Sequence, residues 1–117
     1  MKTFFYIING GDTEALFPDP QKRGEYFARW GEWIKDMMGK KAFVSGFPLK
    51  RQGKIISREG IIPLVPTPFD ATPAAYGFLT ATSIEEAGEF LKSAPLAEES
   101  AMIELRELQN MPTAVLE

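Results

Sequence analysis

With 117 residues, 44% of them hydrophobic, and a net charge of −3, the chain has the size and balance of one globular domain. It has no histidine and no cysteine, which excludes imidazole bases, thiolate nucleophiles, disulfides, sulfur-ligated metals and histidine-held haem. Its thirteen basic residues are scattered, so neither nucleic acid nor an anionic membrane is an expected partner.

The first element is the run Phe4-Phe5-Tyr6-Ile7-Ile8. It is short and lacks a small-residue cleavage site, so it reads as a strand rather than a leader. Apolar residues at both parities place it centrally, in a sheet covered on both faces. No stretch approaches the roughly 20 apolar residues of a membrane span. The expected location is the cytoplasm.

Asn9 to Pro18 reads as a loop. Its Asn9-Gly10-Gly11-Asp12 lacks the lysine and spacing of a phosphate loop. Asp19-Pro20 then supplies an N-cap and a proline at the first helical position. Tyr26, Phe27, Trp30, Trp33, Ile34, Met37 and Met38 follow at helical spacing, and Gly39 is a stop. Trp30 and Trp33 are expected in the core.

Ala42 to Phe47 reads as a strand. Lys54–Ser57 and Ile61–Leu64 flank Arg58-Glu59-Gly60 as a hairpin. Four prolines between positions 63 and 73 make an extended loop. Tyr76 to Thr82 is the next strand. Ser83-Ile84-Glu85-Glu86 is a capping box opening a second helix, which Pro95 ends. Ala101 to Leu108 is the last strand, and a tail follows from Gln109.

Without the hairpin the order is βαββαβ, an α+β ferredoxin-like plan: an antiparallel sheet with two helices on one face. Strand parity then sorts the side chains. Gly77, Ala81, Ile103 and Leu105 belong with the helices. Tyr76, Phe78, Met102, Glu104 and Arg106 share the opposite face. Either parity of the first strand is apolar; Phe4, Tyr6 and Ile8 are placed on that opposite face. So large an apolar patch needs a cover, and the expected cover is a second copy of the chain about a two-fold axis.

The ordered set Trp30, Trp33, Gly46-Phe47-Pro48-Leu49, Tyr76-Gly77-Phe78, Ala81 to Ala87, Lys92 to Pro95, Ile103 to Leu108 and Met111-Pro112 resembles the YCII-related family, which includes DGPF-motif proteins. The resemblance implies a dimeric α+β barrel with a cleft near the proline-rich loop. Some members are thought to use a His-Asp pair there, and one is similar to a dehydrochlorinase. This chain departs from the pattern. It has no histidine, and Pro66-Thr67-Pro68-Phe69 stands where DGPF would fall, followed by Asp70.

The candidate ligand-binding residues are Tyr6, Phe69, Asp70, Tyr76, Glu104 and Arg106. Asp70 or Glu104 is a candidate carboxylate base if a cleft raises its pKa. Arg106 is suited to anchoring a carboxylate. Tyr6 and Tyr76 can donate hydrogen bonds. No acidic cluster has metal-ligand spacing, and no metal or cofactor is expected. The leading expectation is a homodimeric domain that binds a small apolar or weakly acidic molecule, or serves only protein interaction. The alternative is a lyase or isomerase using Asp70 or Glu104 as base, with Tyr76 or Arg106 as stabiliser.

Overall fold

The structure, a computed structural model, describes residues 1–10, 13–64, 72–97 and 100–109. Among these residues six strands and three helices follow in chain order: β1 (Lys2–Asn9), α1 (Thr13–Leu16), α2 (Pro20–Gly39), β2 (Phe43–Pro48), β3 (Lys54–Ser57), β4 (Gly60–Pro63), β5 (Pro73–Ala81), α3 (Ile84–Lys92) and β6 (Met102–Glu107). The main sheet runs β2-β5-β1-β6, and each neighbouring pair is antiparallel. β3 and β4 form a separate hairpin. The fold is the α+β ferredoxin-like arrangement, with α2 and α3 on one face of the sheet. Among the described residues no helix is long and apolar enough to cross a membrane.

Local chemistry sets the helix ends. Asp19 caps α2 by accepting from the Gln21 N–H at 3.0 Å, and Pro20 opens the helix. The Ser83 hydroxyl accepts from the Glu86 N–H at 3.1 Å, and Glu86 reaches back to the Thr82 N–H at 2.9 Å. Gly39 is the last residue of α2, but the left-handed turn beyond it is made by Lys41, at φ 59°. The Ala42 N–H then reaches the Met37 carbonyl and the Lys41 N–H reaches Met38. That is a Schellman closure with a lysine where glycine is usual. The loop expected over Asn9 to Pro18 contains the short α1, held to α2 by Arg23, whose Nε donates to the Phe17 carbonyl at 3.0 Å.

The core lies between the sheet and the two helices. Phe4, Tyr6 and Ile8 pack there with Trp33, Met37, Leu79, Ala81, Ala87 and Leu91. This corrects the expected parity of β1. Tyr6 pairs with Gly77 and Phe4 with Leu79, and directly opposed residues point to the same side of a sheet. A Cβ on Gly77 would overlap the Tyr6 ring at Cζ, Oη and Cε1. The ring lies where only glycine leaves room.

The opposite face carries Phe5, Ile7, Tyr76, Phe78 and Phe47. Their rings form a row, with centroids 5.4 Å apart for Phe5–Phe78, 6.2 Å for Phe78–Tyr76 and 6.5 Å for Tyr76–Phe47. The apolar outer face therefore exists, with Phe5 and Ile7 in place of Phe4, Tyr6 and Ile8.

Gly77→Ala is expected to lower stability by about 1–3 kcal/mol, because the Tyr6 ring must move within a packed core. Lys41→Gly is expected to raise it by about 0.5–1 kcal/mol by relieving the left-handed backbone. Urea melts of both variants measure the two effects.

Candidate functional site

A cleft opens between α2 and the end of the sheet where β1, β2 and β5 finish or begin. Tyr6, Ile8, Gly46 and Ala75 line it from the sheet side, and Tyr26, Phe27, Trp30 and Ile34 from α2. Its enclosed space is about 70 Å³ and its lining is almost wholly apolar. The helical stripe is wide enough to make this wall. Trp33 and Met37 are buried in the core, while Trp30 is half-buried and turns to the cleft. The Trp33 indole N–H donates to the Phe90 carbonyl and the Ser93 hydroxyl, at 3.2 and 3.1 Å, which ties α2 to the end of α3. Trp30 stands edge-on to Trp33 at 5.4 Å and to Tyr26 at 6.5 Å.

Two phenols belong to the lining. Tyr6 is only 3% exposed. Its hydroxyl lies above Gly46, close enough that a Cβ there would sit 2.9 Å away. It has no hydrogen-bond partner among the described residues. Burial pushes its pKa up to about 12. Burial also raises the Tyr26 pKa, against the opposing influence of a Trp30 hydrogen bond and the Arg29 charge. Arg29 sits over the Tyr26 ring at 5.4 Å.

The residues singled out from the sequence do not converge. Tyr6 lines the cleft, but from the helix side of the sheet. Tyr76 also borders the cleft, while its ring belongs to the outer aromatic row. Glu104 and Arg106 are exposed on the outer face of β6, 3.9 Å apart. An exposed pair of this kind contributes little. Ile7 separates Glu104 from Tyr76 in the strand register, two strand spacings or about 10 Å. The expected grouping of Tyr6, Tyr76, Glu104 and Arg106 on one face is therefore split, because β1 has the other parity. Phe69 and Asp70 lie outside the described residues. No group of three or more acidic residues among the described ones could hold a metal ion.

Sequence reading missed Tyr26, Phe27, Trp30 and Ile34 as cleft residues, having assigned the apolar stripe to the core. A signal was present. Seven large apolar residues in α2 exceed what one narrow core face requires. Gly46 and Gly77 lie opposite each other across β2 and β5, which marks a place where a bulky group crosses the strands.

No protein-family model matches the chain, and no curated protein matches it. Among solved structures it is similar to 5-chloro-2-hydroxyhydroquinone dehydrochlorinase from Burkholderia phenoliruptrix AC1100, in complex with 2,5-dihydroxybenzoquinone. The match has 14% identity and a TM-score of 0.45, over 86% of this chain and 90% of that one.

The raised pKa of Tyr6 has a defined consequence for stability. The folded state holds this proton more tightly than the unfolded chain, whose tyrosine titrates near 10. Its contribution is therefore fully present below pH 10 and is lost as the pH rises toward 12. Chemical denaturation across that window is expected to show this loss, and Tyr6→Phe is expected to remove that part of the pH dependence.

Proposed function

We propose that the chain is one subunit of a homodimer that binds a small, largely apolar molecule in the cleft between α2 and the sheet. The observation that carries the binding reading is the Tyr6 hydroxyl. A buried polar group without a partner costs free energy comparable to a lost hydrogen bond. A ligand atom that accepts from or donates to it removes that cost. Trp30, Tyr26 and Ile34 supply the apolar walls common in small-molecule sites. The enclosed space suits the buried end of a small molecule, with the remainder reaching the exposed rim at Phe27 and Pro48.

Thermal-shift screening of neutral aromatic and aliphatic fragments bearing one hydrogen-bond group is the direct test, since binding raises apparent stability. Ala75→Leu, which fills the cleft, is expected to abolish the shift. Tyr6→Phe is expected to weaken binding by about 2- to 10-fold, the range of one hydrogen bond. Equal shifts in wild type and Ala75→Leu would place binding elsewhere and overturn the reading.

The homodimer reading rests on the outer face. Phe47 is 63% exposed there and continues the row of half-buried Tyr76, Phe78, Phe5 and Ile7. A contiguous apolar face of this kind marks an interaction surface, and pairing two copies covers both at once. Light scattering is expected to give twice the chain mass at micromolar concentration. Phe78→Lys is expected to give a folded monomer, checked by circular dichroism.

A further inference from the structure

Among the described residues the β3–β4 hairpin forms a sheet of its own, apart from the four-stranded one. Every residue of both strands is exposed, and two-stranded hairpins are marginal alone in water. Ile55 pairs with Ile62 and Ile56 with Ile61, so both of its faces are apolar. Ile56 is 74% exposed. The hairpin also concentrates charge. Between Lys50 and Pro63 there are four basic residues and one acidic; the rest of the chain has nine basic and fifteen acidic. The result is an apolar, basic arm on an acidic body.

We propose that this hairpin docks on a second copy of the chain, over the start of the partner's β6. The inference rests on the homodimer reading and adds the geometry. A two-fold that stacks two sheets face to face lies in the plane between them. For sheets that pack in the aligned way, it runs close to the strand direction or close to perpendicular to it. The register defines the two ends of the sheet. Pro48, Ala75, Ile8, Asn9 and Met102 mark one end, and Phe43, Leu79, Phe4 and Glu107 the other. The hairpin hangs from the first end, just beyond β2, where the Leu49 N–H reaches the Ala74 carbonyl.

An axis along the strands reverses their order and keeps the ends level. The hairpin then meets the beginning of the partner's β6, where Met102 is 67% exposed beside Glu104. An axis across the strands exchanges the ends. The hairpin would then approach the partner's β2 at its Phe43 end, next to exposed Lys41 and to Lys40, which is paired with Asp36 at 3.2 Å. That brings a basic arm to basic residues and is disfavoured. The first arrangement gives the isoleucines an apolar residue to cover and brings the basic side chains to Glu104, which among the described residues has there only the exposed Arg106 contact at 3.9 Å. It also continues the aromatic row of the outer face.

The absence of cysteine makes cross-linking a clean test. Three double variants, Ile56→Cys/Met102→Cys, Ile61→Cys/Met102→Cys and Ile56→Cys/Val44→Cys, are treated with a short bis-maleimide. Oligomeric state is followed by light scattering, folding by thermal melts, and linked peptides by mass spectrometry. The expected result is a covalent dimer in at least one Met102 pair, with peptides joining the hairpin of one copy to β6 of the other. Linkage to position 44 instead would overturn the docking geometry, as would a ladder of higher polymers. A dimer by light scattering with no linkage in any pair would overturn the docking and leave the homodimer standing. A monomer would overturn both.

Discussion

The contact between the Tyr6 ring and the bare backbone of Gly77 organises the rest of the molecule. Opposed residues share a face, so seating Tyr6 on Gly77 sends Phe4 and Ile8 to the helices as well. The same alternation leaves Phe5 and Ile7 on the outside. The ring lies toward β2, and a second glycine, Gly46, is needed where the hydroxyl ends. One cross-strand pair thus fixes the composition of the core, the place of the buried Tyr6 hydroxyl in the cleft and the residues of the outer face.

The two faces then have different physical tasks. The helix side is closed by side chains that interlock. Phe4, Met37 and Leu79 are fully buried, and Trp33 bonds across to the end of α3. The cleft remains where this packing stops short, along the part of α2 that carries Tyr26 and Trp30. The outer side has no such closure among the described residues. Its aromatic row, with ring centroids 5.4 to 6.5 Å apart, has the spacing of attractive ring pairs, yet Phe47 is exposed and the other rings are only half-buried.

Much of the fold was legible because its signals are local. Asp19-Pro20 announces α2, Ser83 to Glu86 announces α3, and Arg58 to Gly60 marks the hairpin turn. The ferredoxin-like order follows from element order alone. Three features were not legible, each because it depends on something nonlocal. The parity of β1 is ambiguous when both faces are apolar, and only the pairing of Tyr6 with Gly77 resolves it. The turn at Lys41 defies glycine preference because the Schellman bonds and the burial of Ala42 hold it. The cleft was hidden because Trp30 and Trp33 look alike on a helical wheel. They differ only in what lies above them.

The lining also limits the chemistry of the cleft. Among the described residues it contains aromatic, aliphatic, glycine, proline and threonine side chains and no charged one. An ionised group buried against these described residues would lose its hydration without gaining a counter-charge from them, at a cost of several kcal/mol. In the proposed binding reading, the part of a molecule that meets these residues is therefore best neutral. The phenol at Tyr6 points the same way. Burial holds it protonated well above neutral pH, so it offers a neutral hydrogen bond rather than a base. A site built from a fixed neutral dipole and apolar walls selects by shape and by one hydrogen bond.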